Sequence, residues 1–243
     1  EIMPSLVGSE MCIRDRLALA VMFTGCSAPA ESESGAALPD VVGSMDIRYA
    51  EQFSVDYLAD GSALAEVADG RRYLIIPDGG EVPEQLPEDV TVISQPENIY
   101  LASSSSMDLF SSLDCLGDIL ASSTPESGWK LPEIAQAMAD EDILYAGKYS
   151  SPDIELLMSE GCDLAIENMM IYHSPKTAEQ IESCGIPVFI ERSSAESHPL
   201  GRLEWVRLYG LMLGKSDEAE KFFSEKCSLL DEVCLLYTSP SPR

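Results

Sequence analysis

The chain is poor in positive charge. Among 243 residues, lysine and arginine number 15 against 42 acidic residues and 2 histidines, giving a net charge of −27 at neutral pH. Phosphate backbones are held by clustered Lys and Arg, so a surface this acidic excludes nucleic acid as a partner. Also missing are an apolar stretch long enough to span a bilayer, a Gly-x-y period and a heptad run, which sets aside membrane spans, collagen and coiled coils. The common catalytic signatures are absent too: there is no G-x-S-x-G elbow, no H-E-x-x-H, no Walker loop and no G-x-G-x-x-G following a strand. Two histidines offer little general acid–base machinery, although carboxylates can substitute. The 7 cysteines include no C-x-x-C and no metal spacing, so neither a resident metal nor a cofactor is implied.

What is there is apolar enough to fold. At 45% hydrophobic and 23% charged, the chain can bury one large core or two small ones.

The two ends read differently from the rest. Glu10–Arg16 is EMCIRDR and Cys234–Ser239 is CLLYTS. These strings are translations of opposite strands of one DNA sequence, and that DNA matches the transposase end of sequencing-library adapters. Leu6–Ser9 and Pro240–Arg243 relate to an adjoining adapter segment in the same way. Residues 1–16 and 234–243 are therefore expected to be adapter-derived, with the real gene cut at both ends. The alternative for Arg14 and Arg16 is the basic n-region of a signal peptide. The two ends hold equal numbers of acidic and basic residues, so setting them aside leaves the net charge unchanged.

Residues 17–26 form a short apolar run ending in Phe23-Thr24-Gly25-Cys26, which suits a lipoprotein signal with Cys26 as the lipidated residue. Residues 27–45, rich in Ser, Ala, Glu and Gly near their start, follow as a flexible tether. The other reading is a truncated strand or core helix followed by a loop. Cys115, Cys162, Cys184 and Cys227 are expected as small buried residues rather than ligands.

Residues 46–97 read as β-rich. Phe53–Leu58 alternates, Asp60-Gly61 turns, Ala63–Val67 is a second strand, Asp69-Gly70 turns, and Arg72–Ile76 is a third, forming a small meander. The Pro- and Gly-rich stretch 77–88 is a loop, and Val90–Ile93 is a strand. From Ile99–Ala102 onward, strands alternate with helices. Helices are expected at Met107–Leu120, Leu131–Ala139, Pro152–Glu160 (capped by Ser151), Pro175–Cys184, Leu200–Leu213 and from Asp217 on. Strands are expected at Ile143–Ala146, Leu164–Ile166 and Val188–Ile190. Such alternation predicts an α/β fold, a Rossmann-like parallel sheet with flanking helices. Ligands in such sheets bind at the carboxyl ends of strands, here the loops at 103–106, 147–151, 167–174 and 191–199.

In residues 98–233, Tyr145–Glu155 followed by Gly161–Ile166 resembles the "P-x-x-E…L-x-P-D-L-V-I" core of binding proteins serving ABC importers of ferric siderophores, haem and cobalamin. Glu191–Trp205 and Leu208–Ala219 are similar to that family's next strand, helix and "G-x-x-x-G-x-x-x-x-A". The sequence departs from the pattern in having Glu160-Gly161-Cys162 ahead of Asp163, and in its extra β-rich segment. The resemblance implies two α/β lobes joined by a long helix, of which 98–216 would be the N-terminal lobe and 217–233 the start of the bridge, with the C-terminal lobe missing. It implies a non-enzymatic role, a small metal chelate as ligand, an ABC permease with its ATPase as partner, and an extracytoplasmic place on the membrane through the lipid anchor, in a periplasm or on an outer cell surface.

Several residues then become candidates. Glu155 matches the position of the family's permease-docking glutamate, although a carboxylate there also simply stabilises a helix start. Arg192 suits an anionic chelate, or an internal salt bridge with Glu191, Glu196 or Glu204. Arg202 reads as structural. Tyr149, Met169 and Tyr172 can pack against a large flat ligand or only against their own loops. Ser104 and Ser105 can donate to a ligand or cap a helix. His198, like His173, is a haem-iron ligand or a hydrogen-bonded loop residue. A surface-anchored α/β enzyme and an adhesion module remain as alternative functions.

Overall fold

A computed structural model of the chain describes residues 38–238, with side chains through residue 233. The signal run, Cys26, the adapter-like start and most of the tether lie outside the described residues, as do the final residues.

The Asp-Gly turns form where the sequence places them. Gly61 and Gly70 take φ values of 87° and 86°, which a residue without Cβ adopts freely. They link β2 (Phe53–Leu58), β3 (Ala63–Val67) and β4 (Arg72–Ile76), and β1 (Val41–Ser44) precedes them as an antiparallel neighbour of β2. β5 (Val90–Ser94) then pairs parallel to β4, so the meander is part of a five-stranded mixed sheet in sequential order. β1 falls inside the segment read as tether. Its four residues are all exposed, so it carries no alternation for a sequence reading to detect.

The second sheet is parallel. It contains β6 (Ile99–Leu101), β7 (Ile119–Ser122) and β8 (Leu144–Tyr145). A small hairpin of β9 (Gly147–Lys148) and β10 (Ser151–Pro152) follows, then β11 (Leu164–Asn168) and β12 (Val188–Glu191). The spatial order is β12-β11-β6-β7-β8. The chain runs outward from β6 to β8, then returns to the opposite side of β6, which puts the topological switch point between β6 and β11. Connecting helices are α1 (Ser104–Ser112), α2 (Pro132–Ala139), α3 (Ile154–Ser159), α4 (Pro175–Ser183), α5 (Pro199–Met212) and α6 (Ser216–Thr238).

Two elements differ from expectation. The helix read over 107–120 stops at Ser112, because Asp114 turns with φ 57°, and Ile119–Ser122 becomes β7. The helix read over 152–160 begins at Ile154: Pro152 sits in β10, and Asp153 rather than Ser151 is the cap, its carboxylate accepting from Leu156 N at 3.0 Å.

Alternation divides the parallel sheet into two faces. Ile99, Leu101, Leu164, Ile166 and Phe189 point toward α1, α5 and the first sheet. Tyr100, Ala102, Ala165, Val188 and Ile190 point to the opposite side, toward α3 and α4. α5 is buried nearly all round, and Trp205 contacts Phe53 of the first sheet and Phe189 of the second. One core therefore serves both sheets, and the β-rich segment is part of it.

A strap, residues 45–52, crosses α5 before β2. It is held by two fully buried carboxylates. Glu204 accepts the backbone N–H groups of Arg48, Tyr49 and Ala50 at 2.9, 2.7 and 2.9 Å. Glu196 accepts those of Glu51 and Gln52 at 2.7 and 3.1 Å, and the Trp205 indole N–H at 2.9 Å. Several donors per carboxylate offset the cost of burying its charge. Gly201 makes room for the strap, since a Cβ there would lie 2.8 Å from the Tyr49 carbonyl oxygen. One outward N–H of the edge strand β12 is met as well: the buried Tyr73 hydroxyl accepts from Ile190 N at 3.2 Å.

Candidate functional site

Parallel strands deliver their following loops to one edge, and here those loops are bonded to one another. Ser103 N donates to Ile166 O at 3.2 Å, the Asn168 amide to Ala102 O at 3.1 Å, and Ser123 Oγ to the same carbonyl at 3.1 Å. Glu191, fully buried at the end of β12, accepts from Ser103 Oγ at 2.8 Å, Ser105 Oγ at 3.3 Å and Ser193 N at 2.6 Å. Ser106 and Tyr209 share a bond of 2.8 Å. The serine run is thus split: Ser103 and Ser106 are internal, whereas Ser104 and Ser105 are exposed at the start of α1.

Tyr172, in the 3-10 turn Met169–His173 after β11, stands 42% exposed. Its hydroxyl donates to Asp69 Oδ2 at 2.6 Å and accepts from Arg192 Nη1 at 3.1 Å. Partial burial raises its pKa; the Asp69 bond raises it further and the Arg192 bond opposes this. Arg192 Nε also donates to Gln52 Oε1 at 3.2 Å. Among the described residues Arg192 forms no ion pair; Glu191 and Glu196 are engaged by backbone and neutral side-chain donors, and Glu204 by backbone N–H groups and by Arg207 Nη1 at 3.0 Å.

The remaining candidates are more scattered. Met169 is half-buried beside Tyr172, with Met170 exposed next to it. Tyr149, in the β9–β10 hairpin, packs partly against the core under α3. His198 stacks on Tyr49, with ring centroids 4.9 Å apart, and its Nδ1 accepts from Leu200 N at 3.1 Å as the cap of α5. Glu155 is exposed in the first turn of α3. A cleft of about 230 Å³ between α1 and α5 brings Ser105 together with Ser194 and Arg202. Arg202, read as structural, lines that cleft and also donates to Ser194 O at 3.4 Å. A larger groove of about 710 Å³ lies elsewhere, against the loop after β4, and includes none of these side chains.

One group at this edge gave no sequence signal. Glu167, on β11 at the switch point, is fully buried, and neither of its carboxylate oxygens has a hydrogen-bond partner. Burial alone pushes its pKa up to about 8. The Tyr100 hydroxyl, on the same sheet face, is also unpaired and its pKa is raised. Burial pushes the Cys115 and Cys162 thiols up to about 11, so neither is a ready nucleophile. No cluster of His, Cys, Asp and Glu able to hold a metal occurs among the described residues, and no described helix is long and apolar enough to cross a membrane.

No family model matches the chain. An uncharacterized lipoprotein of Methanocaldococcus jannaschii is 23% identical over 183 residues, which are 69% of this chain and 42% of that protein. A periplasmic binding protein from Veillonella parvula superposes with a TM-score of 0.51 at 18% identity, over 67% of this chain and 54% of that one. A petrobactin-binding protein from Bacillus subtilis gives a TM-score of 0.47 at 13% identity, over 70% of this chain and 52% of that one. The described chain has the α/β fold of the periplasmic binding proteins, with a parallel sheet and flanking helices. It spans about half the length of these solved structures and 42% of its curated relative.

Proposed function

We propose that the protein is an extracytoplasmic solute-binding protein of an ABC importer that captures a ferric siderophore, haem or a related metallated macrocycle without transforming it. The observation that carries this reading is the switch-point edge: exposed Ser104 and Ser105, half-buried Met169, and the Tyr172–Arg192 pair stand on loops locked to one parallel sheet. An arginine without a carboxylate partner suits an anionic chelate, and half-buried Met169 with exposed Tyr172 suits a flat apolar one. Tyr149 and His198 stand on neighbouring loops and would be further contacts. Lipidation at Cys26 would keep the protein at the membrane, and the segment after α5 would lead into a second lobe that closes the cleft.

Fold likeness alone does not assign a ligand, so the test is direct binding. Protein expressed from the intact gene is titrated with ferric siderophores, haemin and cobalamin while tryptophan fluorescence is followed. Saturable quenching by one of them is expected, and no response to any removes the reading. Glu155→Arg should lower uptake through the permease and leave ligand affinity unchanged; undiminished uptake would remove the docking role.

A further inference from the structure

The parallel sheet does not hold its candidate ligand residues unaided. Besides the bond between them, Tyr172 and Arg192 are each tied to the β-rich segment. Asp69, in the β3–β4 turn, receives the Tyr172 hydroxyl at 2.6 Å, and Gln52, at the end of the strap, receives Arg192 Nε at 3.2 Å. Tyr172 and Arg192 bond to each other at 3.1 Å, with the guanidinium carbon 6.0 Å from the ring centroid. The result is one chain of bonds, Asp69–Tyr172–Arg192–Gln52, drawn from four separate loops. Both of its ends are themselves fixed. Asp69 Oδ1 accepts Arg71 N at 3.2 Å within the turn, and Gln52 N is held by buried Glu196 at 3.1 Å.

The chemistry of the two anchors differs. Asp69 is charged but meets the phenol, not the guanidinium. The acceptors on Arg192 are both neutral, an amide oxygen and a phenol oxygen. In a chain with 42 acidic residues, an arginine oriented without a carboxylate partner keeps its full charge for something else. We propose that Asp69 and Gln52 are positioning residues of the ligand site: the β-rich sheet forms one wall of it, sets the rotamers of Tyr172 and Arg192, and does so without neutralising the arginine.

This rests on the switch-point edge being the ligand site, and the experiment separates the two. The full chain from the intact gene is compared with Gln52→Ala, Gln52→Glu and Asp69→Asn, using haemin and a ferric tris-catecholate as anionic probes. Gln52→Glu keeps the size and the contact but places a carboxylate on Arg192. It should weaken binding by about tenfold or more, and by more than Gln52→Ala, while thermal stability stays level or rises. A purely structural role would give the opposite order, with Gln52→Ala the worse variant. Asp69→Asn should lower the pKa of Tyr172, read as phenolate absorbance against a Tyr172→Phe reference. If the wild type binds a probe and all three variants bind it equally well, the positioning role is overturned and the site reading stands. If the wild type binds neither probe, Arg192 does not serve an anionic chelate and this inference falls, while the wider site reading is decided by the titration that includes cobalamin.

Discussion

Glu167 carries a pKa shift that falls across neutral pH. A carboxyl whose folded pKa is about 8, against 4.5 for the exposed group, stays protonated in the native state at neutral pH. Below the unfolded value both states hold the proton and its stabilising effect is complete. As pH rises, the unfolded chain releases its proton first, and stability falls until the folded group ionises near 8. The loss across that window is on the order of a few kcal/mol. Glu167→Gln should abolish it. Urea midpoints for the two proteins should converge below about pH 4 and separate toward about pH 8, with the variant more stable. Parallel curves would show that the carboxyl reaches water. None of this was visible in the sequence, where Glu167 is one of 42 acidic residues. The buried carboxylates Glu191, Glu196 and Glu204 were hidden for the same reason. Sequence proximity suggested them as salt-bridge partners for Arg192, but their oxygens are taken by other donors: serine hydroxyls and Ser193 N for Glu191, and, for Glu196 and Glu204, chiefly backbone N–H groups of a segment about 150 positions away, with the Trp205 indole and the Arg207 guanidinium.

At the level of elements, the strap is the feature most open to test. Glu204→Ala would leave three strap N–H groups without their acceptor and should cost about 3 kcal/mol or more. Gly201→Ala pushes a methyl group against the Tyr49 carbonyl and should cost ~1–3 kcal/mol. Both are measurable as shifts in denaturant midpoint, and protection of the Arg48–Gln52 amides from hydrogen exchange should drop with them. Elements with a strong local signal were legible: the Asp-Gly hairpins, the helix opening on Pro175, the helix read from Leu200, which starts one residue earlier at Pro199, and the buried strands Leu164–Asn168 and Val188–Glu191. Strand β7 was not. Met107, Phe110, Leu113 and Leu116 keep a helical period up to Ile119, and only the positive φ at Asp114 breaks it. The candidate loops were legible as the ends of parallel strands. Their link to Asp69 and Gln52 was not, because it joins residues more than 100 positions apart.

Across the whole molecule, a net charge of −27 opposes compaction through self-repulsion. Raising salt from ~0.01 M to ~1 M shortens the Debye length from ~30 Å to ~3 Å and should stabilise the fold. The melting temperature should therefore climb with ionic strength in sodium chloride. A flat or falling profile would mean that the acidic groups are spaced too widely to repel. The shared core predicts a single cooperative transition rather than separate melting of the two sheets, since α5 packs on both. The Tyr73 hydroxyl bound to Ile190 gives that unity a practical meaning. Excising the β-rich half would free the Ile190 N–H on the flank of β12 and offer that edge to strands of further copies. Anyone grafting the α/β half onto a foreign partner would have to carry residues 53–76 along with it, or expect an edge that recruits other strands.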